Sequence, residues 1–131
     1  MDLPALKLNL ALGWLWIMLG FLSGAALGMR FHREDWLGGY GSFKRRLYRL
    51  GHISFFGLAI LNLLFFFTFQ SVNRETPGIQ IASWAFAVGA LTMPLCCLLV
   101  AHFPKWRPAF ALPVLSLVAA GILTLNGILH L

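Results

Sequence analysis

The chain has 131 residues, of which 60% are hydrophobic and 11% charged, with a formal net charge of +6. A soluble globular domain averages roughly 25% charged and about 45–50% apolar residues, and the mean hydropathy here is +0.81. Such a composition excludes a disordered chain, a scaffold held by disulfides and a typical soluble enzyme. The length fits one domain, or two very small ones.

The charges fall in clusters, and the gaps between them define the elements. No charge occurs in the 22 residues between Lys7 and Arg30, or in the 24 between Arg49 and Arg74. The same is true of the 29 between Glu75 and Lys105 and of the 24 after Arg107, histidines set aside. About 20 apolar helical residues cross a hydrocarbon core of ~30 Å, so each gap is long enough. A soluble helix of this length needs a polar face, and lipid offers no partner for open backbone groups. The pattern predicts four transmembrane helices near 9–29, 51–71, 80–101 and 109–130. They form one all-α membrane domain over 1–131, an antiparallel four-helix bundle. The first run exceeds a signal-peptide core and follows both Asp2 and Lys7, so it reads as a span.

Within the first span Gly13, Gly20, Gly24 and Gly28 stand out, the last three at steps of four. That spacing puts Gly20, Gly24 and Gly28 on one face, where another backbone can approach. The connection after it, 30–50, is basic, aromatic and glycine-containing: Arg30, Phe31, His32, Arg33, Trp36, Gly38-Gly39-Tyr40-Gly41. It reads as an ordered cytoplasmic loop. Ser42 is a suitable N-cap, and Phe43, Leu47 and Leu50 repeat as one apolar face, with Lys44, Arg45 and Arg49 elsewhere. This predicts an amphipathic turn over 42–50, at the interface or continuous with the second span.

In the second span Phe55, Phe56, Phe65, Phe66 and Phe67 are expected to face lipid. Asn62 is expected to hydrogen-bond another helix. The connection with Asn73, Thr76, Pro77 and Gly78 is turn chemistry for a helical hairpin. The third span carries a small-residue stripe of Ala82, Ala85 and Gly89, a proline at Pro94 that removes a helix hydrogen bond, and the adjacent Cys96 and Cys97, which point apart and read as small buried or lipid-facing residues. Pro104 ends it, and Pro108 suits the next helix's first turn.

Basic residues set the expected orientation. The first and third connections hold eight (Arg30, Arg33, Lys44, Arg45, Arg46, Arg49, Lys105, Arg107), against Lys7 and Arg74 on the other side. By the positive-inside rule both those connections are cytoplasmic and both termini lie outside, in a bacterial cytoplasmic membrane. No soluble basic surface exists for nucleic acid.

Chemistry rests on histidine. His52 and His102 are expected at one membrane depth on neighbouring helices, with His32 close by and His130 alone at the far side. Imidazole is an axial haem ligand, so His52, His102 and His32 are the haem candidates. They also serve a quinone pocket, which needs a polar group beside an apolar aromatic channel, with Trp36 or Tyr40 nearby. Ser23, Ser54, Ser83 and Ser116 have no base at a recognisable spacing, and no charged residue falls inside a span. The leading expectation is a small non-catalytic accessory or assembly subunit of a larger membrane complex, of the respiratory or photosynthetic electron-transfer kind. Its partners are the bilayer and other membrane subunits. The alternatives are an electron-transfer subunit holding b-type haem or quinone through His52 and His102, and an oligomeric small-solute transporter or channel.

Overall fold

In the computed structural model, which describes residues 4–72 and 76–131, the helices begin where prolines and hydroxyl caps allow. Pro4 opens α1 (Pro4–Phe31), at a position where a missing N–H is harmless. Ser42 caps α2 (Phe43–Phe69), its Oγ accepting from the Arg45 amide at 3.2 Å. Thr76 caps α3 (Pro77–His102), with Pro77 in the first turn. A 3-10 run, Pro104–Phe110, then leads into α4 (Ala111–Leu129). The sequence features at Asp2, Asn73 and Arg74 lie outside the described residues.

At 1.5 Å per residue, the 26–28 residues of α1, α2 and α3 reach ~40 Å, beyond a hydrocarbon core of ~30 Å. All four helices are long and apolar enough to cross a membrane. The protein is an all-α integral membrane protein whose four helices pack antiparallel in sequence order. The 42–50 turn is continuous with the second span, as one uninterrupted α2.

The centre of the bundle is α3, which touches the other three helices. Small side chains make this possible: Ala82, Ala87 and Ala90 are buried in it, and Gly89 receives Leu117 of α4. The opposite case is α4, where only Pro113 and Ala120 are buried. Three apolar clusters run along the bundle. Leu6, Phe65, Phe69, Ile79 and Phe86 lie at the end holding the α2–α3 connection. Leu12, Trp16, Leu58 and Ala90 lie at mid-depth, and Leu47, Val100 and Ala101 at the other end.

Two expectations are corrected. Phe65 is not lipid-facing: it is 2% exposed, with its ring 5.3 Å from that of Phe86 and 5.1 Å from that of Phe69. Asn62, Phe65 and Phe69 recur at helical spacing and form the inward stripe of α2, whereas Phe67 is outward. Nor is the 42–50 segment divided as its apolar repeat suggests. Phe43 and Leu50 are exposed, while Leu47 and Arg45 are buried. The reason for Arg45 is the end of α1, whose last carbonyls need donors.

Candidate functional site

The polar residues inside the bundle pair across helices. At the α2–α3-connection end, Asn9 Nδ2 donates to Asn62 Oδ1 at 2.8 Å and to the Ser83 carbonyl at 3.2 Å. Ser83 Oγ lies 2.5 Å from Asn9 Oδ1 and 2.9 Å from the Ala5 carbonyl. Asn62 Nδ2 closes the set on the Leu58 carbonyl at 2.8 Å. Three helices are thus joined at one level. In lipid such a bond averages ~0.6 kcal/mol and reaches ~1.7, and leaving one of these amides unpaired would cost more.

At mid-depth Trp16 Nε1 donates to the Ala90 carbonyl at 2.9 Å. Ala90 is the residue four before Pro94, so its carbonyl is the acceptor that the proline's missing N–H leaves open. The indole of α1 supplies the donor that α3 lacks, and α3 runs unbroken through Pro94. On the other face of α3, Ser116 Oγ of α4 donates to the Ala85 carbonyl at 2.7 Å.

Towards the long-loop end lie the histidines. Gly20 and Gly24 put the α1 backbone against Phe56 and His52: a Cβ added at Gly24 would sit 2.8 Å from His52 Cε1 and 3.3 Å from Nε2. Gly28, on the same face, has no such neighbour within 4 Å. The close approach at Gly24 brings Ser23 Oγ to 2.9 Å from His52 Nδ1. Ser23 is therefore beside a base that sequence spacing does not reveal. Ser23 Oγ also lies 3.0 Å from the Gly20 carbonyl. Its one hydroxyl proton serves either that carbonyl, with His52 donating through Nδ1–H, or Nδ1 itself, with His52 as the Nε2–H tautomer.

His102 is exposed at the end of α3, with Nε2 2.7 Å from the Tyr48 hydroxyl. Tyr48 stands one turn before His52 on α2, and the Trp36 ring packs on it at 6.1 Å. Residues Trp36, Tyr48 and His102 thereby link the loop, α2 and α3. Tyr40 is elsewhere, with Arg45 and Arg49 over its ring at 5.3 and 4.4 Å. His32 is exposed in the turn after α1. At the opposite end, His130 Nδ1 lies 2.8 Å from the Asn126 carbonyl. Among the described residues no group of three or more His, Cys, Asp or Glu could hold a metal ion.

Arg45 anchors the loop. Its guanidinium donates to the Phe31 carbonyl at 2.9 Å and to that of Arg33 at 3.3 Å, which caps α1 with a cation where the helix dipole favours one. Phe31 and Trp36 face it at 4.9 and 5.6 Å. Nε is buried without a partner.

Between α1 and α3, with α2 as its floor, lies a cavity of about 220 Å³. Its walls include Ala26 and Leu27 of α1, Tyr48, His52 and Phe55 of α2, and Leu98 of α3. Ala26 and Leu98 are exposed and mark its rim. Pro94 also lines it, one turn beyond the Trp16–Ala90 tie. The haem arrangement fits this geometry poorly. His52 Nε2 faces the α1 backbone at Gly24, and His102 Nε2 is engaged by Tyr48.

Asn9, Trp16 and Tyr48 are the site residues that sequence reasoning passed over, whereas by sequence Ser23 reads as lacking a nearby base and Arg45 as lying off the apolar face. Pro94 in an otherwise unbroken span was the one signal for Trp16, because its freed carbonyl needs a donor. Comparison with known protein families, curated proteins and solved structures finds no match to this chain.

Proposed function

We propose that the protein is a small non-catalytic subunit of a larger membrane assembly, of the electron-transfer kind. The observation that carries the reading is how the inward polar groups are used. Asn9, Asn62, Ser83, Trp16, Ser23, His52 and Tyr48 each join one helix to another. Arg45 joins α2 to the end of α1. Such ties make a rigid body that presents apolar helix faces outward, α4 above all. In lipid, helix association relies on packing and polar contacts, so a rigid face suits a neighbouring subunit. The basic end, with Arg30, Arg33, Lys44, Arg46, Lys105 and Arg107, faces the cytoplasm on this reading, and both termini face outward.

The test is gentle extraction of the tagged chain from its native membrane, with the subunit composition and the reduced-minus-oxidised spectrum recorded together. Other membrane chains at fixed stoichiometry and no haem band from this chain support the proposal. A haem band lost in both His52→Ala and His102→Ala would replace it with the electron-transfer reading.

A further inference from the structure

We propose that the crevice between α1 and α3 holds one acyl chain of an anionic phospholipid, whose phosphate is taken by Arg30 at the loop end. This goes beyond the subunit reading and does not depend on partner chains.

The crevice suits a hydrocarbon chain. Its walls, among them Leu27, Phe55, Pro94 and Leu98, are apolar. Its polar residues Ser23 and His52 are bonded to each other, and the His52 ring lies against the α1 backbone at Gly24. From Phe55 to Tyr48 the crevice follows seven residues of α2, ~10 Å of helix rise. That is the direction a lipid chain takes beside a spanning helix. At about 220 Å³ the crevice is smaller than the ~300–1,000 Å³ that holds a drug-sized molecule. It takes part of one chain, entering past the exposed Ala26 and Leu98.

Charge complementarity at the loop end selects the lipid. Arg30 stands one turn beyond Ala26 on the same face of α1. Helical Cα–Cβ bonds tilt toward the N-terminus, so Arg30 leans back toward the crevice. It is exposed, and its guanidinium has no partner among the described residues. A long basic side chain lays its stem on apolar surface and keeps its charge at the headgroup level. Basic pockets between spanning helices are sites for anionic headgroups.

Tyr48 and His102 add a donor at the same end. Tyr48 lines the crevice, and His102 stands one turn beyond Leu98 on α3. Their bond at 2.7 Å uses one proton. With the ring neutral, the Tyr48 hydroxyl donates and Nδ1–H is left over, or Nε2–H donates and the Tyr48 O–H is left over. In either direction one donor remains. A phosphodiester, which only accepts, suits that donor and Arg30 together.

The test titrates the full chain, delipidated in a mild detergent, with dioleoyl phosphatidylglycerol and dioleoyl phosphatidylcholine, and counts bound lipid by native mass spectrometry. One phosphatidylglycerol should bind saturably and about fivefold tighter than phosphatidylcholine, the factor that one basic residue contributes near an anionic lipid. Arg30→Gln should erase that preference. Arg46→Gln, an exposed cation of α2 outside the crevice, should leave it intact. Ala26→Phe, which fills the crevice from its exposed rim, should weaken both lipids several-fold at unchanged helix content. Glycerol 3-phosphate, which has the phosphate without the chains, should not displace the lipid. Equal losses in Arg30→Gln and Arg46→Gln would make the preference a property of the whole basic end and overturn the proposal. So would full lipid binding in Ala26→Phe, displacement by glycerol 3-phosphate, or no saturable binding.

Discussion

Replacing Trp16 by Phe isolates the bond that repairs α3 at Pro94. The ring stays apolar and close in shape, but the Nε1–H that reaches the Ala90 carbonyl at 2.9 Å is gone. Ala90 is fully buried, so its carbonyl has no water to turn to. An unsatisfied buried acceptor costs ~1–3 kcal/mol, and the smaller ring adds a packing loss. Pro94→Ala separates the two effects, because an alanine at that position brings back the backbone N–H that a helix directs at the Ala90 carbonyl. In that background Trp16→Phe should retain only the packing loss. The two substitutions should therefore couple by about 1–2 kcal/mol, within the usual range for groups sharing a partner. Reversible unfolding in mixed micelles, followed by far-UV circular dichroism across a dodecyl sulfate titration, reads all four corners of the cycle. Equal costs for Trp16→Phe in both backgrounds would refute the reasoning.

Other parts of the bundle give contrasting outcomes. Gly24→Leu drives a side chain into the His52 ring and should destabilise by ~1–3 kcal/mol in the same assay, whereas Gly28→Leu, with open space around it, should be near neutral; equal effects would remove the packing assignment. Arg45→Leu deletes both guanidinium bonds to the end of α1, each worth ~1.5–3 kcal/mol for a charged donor. Trypsin should then cut after Arg33 roughly 10²–10⁴-fold faster, and unchanged cleavage would contradict the anchoring role. In a background of Cys96→Ala and Cys97→Ala, Tyr40→Cys should resist an impermeant thiol reagent added outside intact cells while Thr76→Cys reacts. The reverse pattern would invert the orientation.

Much of the fold was legible because charge placement alone separates the spans, and Ser42, Thr76, Pro77 and Pro104 mark their ends. Asn62 could also be read as an interhelical group, since a lone amide in lipid needs a partner. Its partner could not be read: Asn9 sits near the start of α1, and only the antiparallel register sets it against Asn62 and Ser83. Arg45 was misplaced for a similar reason. A charged residue beside an apolar repeat looks solvent-facing until the open carbonyls of another helix lie next to it. His52 and His102 were found by residue type, but their engagements with Ser23 and Tyr48 span 29 and 54 residues of sequence. No local spacing encodes contacts of that range. Phe65 could not be told from Phe67 because a uniformly apolar span has no polar face to set its rotation.

The inward polar groups join one helix to another, and the proposed non-catalytic role is tested most directly at His52. Ring ¹⁵N chemical shifts of His52 in nanodiscs, assigned with His52→Asn as the control, report the tautomer directly. A structural His52 has a protonated Nδ1, hydrogen-bonded to Ser23, and a bare Nε2. A bare Nδ1 accepting the Ser23 proton would be the arrangement of a base beside a nucleophile and would contradict that role.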